Sequence, residues 1–282
     1  MSDMASVTAI LSILLTLFIV LKERKLLAFI MRRIGPVLMG RNGAGQILTD
    51  LGKLLTKEDF LIPRPTTSTA PIFIALLFSC QLLFSQNFVW GPSMILFLGL
   101  ESMILYHLIL ILFGNIFFSV VGLLSQSRYA IIATARSIVH VLSLDIFITI
   151  IYSLLVLSAQ SPNFHDFVVA QNSYWFAFLF APLAYAFILI FLLESKRAPF
   201  DHAETESEVV AGYSTEYSGT MLMTIYLAEY LHLLIASIHF ILFFMGGWHP
   251  LEPLFFLPAN FLPMHESFIW FNLIPSFMWS VN

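Results

Sequence analysis

Six long apolar stretches alternate with polar segments along this chain, at about 4–22, 70–90, 93–123, 137–160, 174–193 and 219–246. Runs of roughly twenty residues with so few charges predict transmembrane helices. Loops are expected at 23–69, 124–136, 161–173 and 194–218, with a tight Trp90-Gly91-Pro92 turn between the second and third spans. Inside the first loop, Ile47, Leu48, Leu51, Leu54 and Leu55 recur at helical spacing. Gln46, Asp50, Lys53 and Lys57 take the other face, which predicts an amphipathic helix lying in the membrane interface. Just before it, Arg32-Arg33-Ile34-Gly35-Pro36 predicts a sharp turn. Beyond Gly246-Gly247-Trp248 the pattern degrades, because Pro250, Pro253, Pro258, Pro263 and Pro275 interrupt an apolar, aromatic segment. The expected fold is therefore an all-α membrane protein: about six spans, one interfacial helix and an irregular tail. Residues 1–248 form one multi-spanning domain on this reading, and 249–282 a Pro-rich apolar tail packing on partner subunits.

Charge placement tests the span count. All 13 Lys and Arg fall in or beside the first, third and fifth loops, which a six-span alternation puts on one side. The opposite loops and both ends carry only Asp3, Asp166, Glu252 and Glu266. The basic side is expected to be the mitochondrial matrix or bacterial cytoplasm, with the N-terminus opposite. Met1 to Val20 has neither a basic leader nor transit-peptide character, so the first span is expected to be retained. With 59% hydrophobic and 11% charged residues, the net charge of −4 says little about partners, and no nucleic-acid partner is expected. The single cysteine, Cys80, excludes disulfides and iron–sulfur ligation by this chain alone. Any redox centre must sit on a partner.

Against that scarcity of charge, Glu194 to Glu216 holds six carboxylates in 23 residues: Glu194, Asp201, Glu204, Glu206, Glu208 and Glu216. Asp201, Glu204 and Glu208 stand at i, i+3 and i+7, one face of any helix that forms, with Glu206 turned away. Carboxylates crowded like this cannot all ionise comfortably, which suits a proton relay. Arg197 and Lys196 can neutralise part of the cluster, and a solvated acidic loop is the plain alternative. Asp145 and Glu229 lie inside the fourth and sixth spans, where an ionised carboxylate costs about 3 kcal/mol. Either they stay neutral and pass protons, or they need partners; Arg136, Tyr226, Tyr230 and His232 are nearest in sequence. Glu101 follows the same logic, with a locally hydrogen-bonded structural role equally open. His232 and His239, seven apart, share one helix face, but a pair on one helix cannot clamp a haem, and packed histidines are the plainer reading.

Glu23-Arg24-Lys25, Arg33-x-Gly35-Pro36, Asp50-x-x-Lys53-x-x-Thr56-Lys57-Glu58 and the run Glu194-x-x-Arg197-x-Pro199-Phe200-Asp201-x-x-Glu204-x-Glu206-Ser207-Glu208 occur in that order. With Tyr129 through Arg136 to Asp145, Glu216-Tyr217 and Ala228-Glu229-Tyr230, the set resembles subunit 1 of NADH:ubiquinone oxidoreductase, respiratory complex I, over about residues 4–245. That resemblance implies a membrane subunit without redox centres or catalytic residues of its own, forming the quinone tunnel and the first part of a buried proton-coupling axis. Arg24, Arg33, Phe200, Asp201 and Glu204 would line the tunnel. Asp145, Glu194, Glu204, Glu206, Glu208 and Glu229 would carry protons, with Arg136 and Arg197 as charge partners. Ubiquinone would be the substrate, while FMN, NADH and Fe–S clusters would belong to partner subunits. No metal is expected at His202-x-Glu204, since the family has none there and the neighbouring carboxylates alternate faces.

The implied partners are peripheral quinone-site subunits, antiporter-like membrane subunits and membrane lipid, in the mitochondrial inner membrane or a bacterial plasma membrane. Three departures stand out. Asp145 replaces the usual Glu, the third helix is long and carries its own Glu101, Tyr106 and His107, and the family's closing helices are not recognisable after Trp248. A separate polypeptide is expected to supply those helices, or other subunits to replace them. The membrane anchor of an energy-converting hydrogenase and a stand-alone proton-coupled transporter are the alternative functions. The first lacks a need for the full Glu23-Arg24-Lys25 and Pro199-Phe200-Asp201 signatures, and the second predicts an inverted repeat that this chain does not show. On this reading Glu204→Gln lowers quinone reduction and proton pumping together in isolated membranes; retention of both would remove Glu204 from the mechanism.

Overall fold

The computed structural model describes residues 2–37, 39–40, 43–59, 69–86, 102–171, 174–196, 200 and 212–247. Among them every regular element is helical. In chain order these are α1 (Ser2–Ile30), α2 (Gln46–Thr56), α3 (Ala70–Gln86), α4 (Met103–Leu124), α5 (Arg128–Ala159), α6 (Phe164–Ala170), α7 (Phe176–Leu179), α8 (Ala181–Glu194) and α9 (Gly219–Phe244), with a 3₁₀ turn at Gly212–Ser214 before α9. Four of them, α1, α4, α5 and α9, are long and apolar enough to cross a membrane. The other two expected spans are represented by the shorter apolar helices α3 and α8, the latter preceded by the one-turn α7. The Pro-rich tail and Glu101 lie outside the described residues.

Several boundaries differ from the hydropathy reading, each for a local reason. Helix α1 runs eight residues past its apolar stretch, through Glu23-Arg24-Lys25, because Lys, Arg, Glu, Leu and Ala all sustain a helix after the hydropathy falls. It stops where Arg32 adopts φ +53°, and Arg33 N–H donates back to the carbonyl of Ala28 at 2.9 Å. This is the reversed backbone that closes a Schellman motif. Gln126, Gln160 and Lys196 take the same left-handed conformation after α4, α5 and α8. The loop expected at 124–136 shrinks to three residues, since Ser127 caps α5 by accepting from Ala130 N–H at 3.1 Å. Arg128 and Arg136 therefore sit on a helix rather than in a loop. The fifth span is broken: Phe180, at φ −119° and ψ 48°, separates α7 from α8, whose first turn holds Pro182. The amphipathic helix in the first loop is present as α2, with Ile47 on its buried side.

Helix α9 is the hub, packed against α1, α2, α3, α6 and α8, while α4 bridges α3 and α5. Two apolar clusters flank its middle. One gathers Phe84, Phe164, Phe167, Phe187 and Phe243; the other gathers Ile74, Leu77, Phe118, Tyr213 and Ile225. His107 and His239 lie in the first, edge to face with ring centroids 5.5 Å apart. Each donates its Nδ1 proton to the carbonyl one turn earlier, of Met103 and Ile235, as core histidines do. At the other end, Tyr217 O–H donates to the carbonyl of Val121 at 2.6 Å. Burial, with Glu216 beside it, pushes that phenol up to about 12, so the tie between the α9 entry and the end of α4 persists at working pH. Asp59 makes a second tie by accepting from both N–H and hydroxyl of Thr220 in the first turn of α9.

The α4–α5 contact depends on a glycine. A Cβ at Gly122 would come 1.9 Å from Thr134 Cγ2. Gly122→Ala is expected to destabilise the subunit by about 2 kcal/mol through overpacking. Adding Thr134→Ser, which deletes only that methyl and keeps the hydroxyl's bond to Ala130 O, should restore most of the loss in a thermal-inactivation assay of the membrane enzyme. Equal instability of the single and double variants would contradict this close approach.

Candidate functional site

Between the two apolar clusters the bundle holds a polar group drawn from four helices. Asn115 of α4 places one amide nitrogen 3.0 Å from Asp145 Oδ1 of α5 and 3.0 Å from Glu194 Oε1 at the end of α8. An amide has two N–H donors on that nitrogen, and here each carboxylate receives one. Glu194 Oε2 lies 3.4 Å from His232 Nε2 of α9. That approach is close enough for Coulombic attraction but is not aligned as a hydrogen bond. Glu194 and His232 are both buried. One turn before His232 on α9, Glu229 Oε1 accepts from the hydroxyl of Tyr213, which the 3₁₀ turn carries inward.

Lys196 caps this region. With φ +52° it turns the chain back after α8, and its ammonium sits over the ring of Phe118. It borders two small cavities. One, of about 30 Å³, touches Gln81, Asn115, Glu194, Glu229 and His232. The second, of about 20 Å³, touches Ser137, His140, Glu194 and Phe200. Both are of water size.

A larger cavity of about 230 Å³ opens between α1, α2 and α9. Leu17, Leu54, Met223, Tyr226 and Tyr230 give it apolar and aromatic walls. At one end Arg24 of α1 pairs with Asp50 of α2, which also accepts from Gln46 Nε2 at 3.2 Å. The interfacial helix is thus pinned to the first span by a half-exposed ion pair over an apolar slot. The arrangement suits a lipophilic molecule with a polar head.

The sequence-predicted residues are distributed unevenly over these sites. Asp145 and Glu194 meet through Asn115, and Glu229, with its own tyrosine partner, joins Glu194 at the cavity of about 30 Å³. Arg24 lines the large cavity, whereas Phe200 borders the second small one, so the two face different spaces. Arg33 is exposed in the turn after α1, and Arg136 is exposed on α5 beside Ser137. Arg197, Asp201, Glu204, Glu206 and Glu208 lie outside the described residues. Asn115, Gln81 and Tyr213 were not singled out in the sequence. Asn115 and Gln81 had a signal: each is an amide inside an apolar helix, where a polar side chain needs a reason. Tyr213 gave none, since its role depends on a short turn folding under α9.

These features define a multi-spanning helical membrane protein with a buried carboxylate, amide and imidazole cluster beside an apolar ligand slot. The sequence profile of the NADH dehydrogenase family matches residues 3–280, and the chain belongs to that family. It is 37% identical over 242 residues to NADH-ubiquinone oxidoreductase chain 1 of Paramecium tetraurelia, covering 85% of this chain and 91% of that one. It is 34% identical to NADH-ubiquinone oxidoreductase chain 1 of Chondrus crispus, covering 96% and 82%. Against a bacterial NADH-quinone oxidoreductase chain, that of Anaplasma marginale, it is 32% identical, covering 94% and 78%. The family match extends past residue 245, where the motif resemblance ended. The prolines of the tail break the helical hydropathy pattern, and its family character is carried by alignment rather than by a readable motif.

Asn115→Leu is expected to cost about 1–3 kcal/mol by stranding the buried Glu194 and the half-buried Asp145, lowering the thermal-inactivation midpoint of the membrane enzyme. Adding Asp145→Asn, which supplies a new amide, should recover much of it. Strictly additive effects would argue against a shared bridge.

Proposed function

We propose that this chain is the core membrane subunit of a proton-pumping NADH:quinone oxidoreductase, in which quinone enters beside Arg24 and the Asp145–Asn115–Glu194–His232 cluster begins the proton path. The single observation that carries the reading is the adjacency of two unlike sites on α9. Tyr226 and Tyr230 face the apolar slot, while Glu229 and His232, on the same helix, face the carboxylate cluster. A change at a quinone in the slot therefore has a direct mechanical and electrostatic route to the carboxylates through one helix.

The slot supports quinone on chemical grounds. Its apolar walls suit an isoprenoid tail, and Arg24 presents a guanidinium that can hydrogen-bond a carbonyl oxygen. The relatives are named for ubiquinone or quinone, which favours this reading over the hydrogenase anchor. NADH, FMN and Fe–S clusters would be bound by peripheral partner subunits, and antiporter-like membrane subunits would continue the axis. The protein belongs in a mitochondrial inner membrane or a bacterial plasma membrane. The basic loops would face the matrix or cytoplasm and the N-terminus the other side. The acidic loop from Asp201 to Glu208 would connect quinone chemistry to Glu194, from which it departs. The tail from 249 onward, which the family match includes, would pack on neighbouring subunits.

Within this subunit no bond of the quinone is made or broken by a side chain; electrons arrive from partners. Asp145, Glu194, His232 and Glu229 would hold and move protons, Asn115 would hold the first two carboxylates in register, and Arg24 with Asp50 would orient the head group.

Leu54→Trp fills the slot and is expected to raise KM for a long-tailed quinone by about tenfold. Reduction of a water-soluble acceptor by the peripheral subunits should be unchanged. An unaltered KM would place quinone elsewhere.

A further inference from the structure

The cavity of about 30 Å³ where α3, α4, α8 and α9 meet is large enough for one water molecule, which needs roughly 10–15 Å³ and two to four polar partners. Its wall supplies them. Gln81, Glu194 and His232 are each more than nine-tenths buried, at 6%, 6% and 7% exposure. Yet Gln81 Oε1, Glu194 Oε2 and both ring nitrogens of His232 make no aligned hydrogen bond among the described residues. Buried polar atoms of this kind are costly unless a partner reaches them. Asn115 has already committed its two donors. Gly114, the residue before it, leaves the room that Gln81 occupies: a Cβ there would stand 2.9 Å from Gln81 Nε2. The amide of Gln81 is therefore seated in a notch on α4, beside the cavity.

We propose that this cavity holds an ordered water that joins the Asp145–Asn115–Glu194 cluster to the Glu229–Tyr213 pair, and that Gln81 is its positioning residue. The inference rests on the proton-path reading above. When Glu194 is protonated, the water accepts from its O–H and donates one proton to Gln81 Oε1 and the other toward the carboxylate of Glu229, with the facing nitrogen of His232 as a further neighbour. Relay through it balances simply. As the O–H of a protonated Glu194 breaks, the water gains that proton, and one of the water's own O–H bonds breaks as the proton passes to the carboxylate of Glu229. The water is left unchanged and one proton has moved from α8 to α9. The charged or titratable groups facing it are Glu194, Glu229, His232 and Lys196.

The test uses the intact enzyme in sealed membrane vesicles, with infrared difference spectra recorded on quinone reduction in H₂¹⁶O and in H₂¹⁸O, alongside proton pumping. The unaltered enzyme should show a water O–H band that shifts with ¹⁸O. Gln81→Met should abolish that band and slow pumping by on the order of 100-fold, the scale of a lost proton-transfer step. Gln81→Asn, which keeps a carbonyl nearby, should recover part of both. An unchanged band or full pumping in Gln81→Met overturns the proposal. Should Gln81→Met fail to assemble, Gly114→Ala decides the matter, since it presses on the same amide: a displaced band supports the water site and an identical spectrum refutes it. Asp145→Asn distinguishes loss of the water from loss of the whole proton path. Pumping lost there but intact in Gln81→Met removes only the water, whereas pumping intact in both removes the proton-path reading as well.

Discussion

The side-chain amide of Asn115 holds two carboxylates from different helices within hydrogen-bonding distance of one nitrogen, in the interior of an apolar bundle. Remove that donor and the buried Glu194 and half-buried Asp145 lose their common partner, a loss that a largely apolar surrounding penalises. The rest of the architecture can be understood as what brings α4, α5 and α8 close enough for one short side chain to reach both. Gly122 allows α4 to press against Thr134 of α5, Ser127 turns the chain between them in three residues, and the break at Phe180 sets the course of α8 so that Glu194 ends inside rather than at the surface. An asparagine reaches less far than a longer side chain would, so the helices have little freedom to separate while both bonds persist.

Helix α9 carries residues that line both this cluster's cavity and the apolar slot. Its residues alternate between two tasks at helical spacing: Met223, Tyr226 and Tyr230 wall the apolar slot, and Glu229 and His232 wall the polar cavity. The slot carries the Asp50–Arg24 pair at one end, and Asp59, three residues beyond the interfacial helix, binds the first turn of α9. The interfacial helix is thus tied to α1 through Asp50, and the segment just after it to α9 through Asp59. Two apolar clusters lie on either side of the polar group.

Much of this is legible in the sequence. Six apolar stretches, one interfacial amphipathic helix and the family were all readable, because hydropathy period and a rare ordered set of charged motifs depend only on local sequence. Helix ends were less so: α1 continues through Glu23-Arg24-Lys25 and α5 begins at Arg128, since a helix follows backbone propensity and capping beyond the edge of its apolar run. Asp145 and Glu194 stood out as misplaced charges, but their meeting point did not. Asn115 is 30 residues from one and 79 from the other, and only the packing of three helices reveals that it serves both. Tyr213 was hidden for the same reason, a surface-like loop residue that folds under a span. The tail shows the opposite limit, with family membership carried by alignment through prolines that erase the period.

In the proposed function, the carboxylates gathered by Asn115 couple quinone reduction to proton movement. This coupling is tested most directly by the ratio of protons pumped to electrons transferred in sealed vesicles carrying Glu194→Gln, a change that keeps the side chain's shape and its reach to Asn115 while removing its ability to carry a proton. The ratio is expected to fall well below that of the unaltered enzyme, with quinone reduction persisting when the membrane is uncoupled. An unchanged ratio at normal turnover would contradict it.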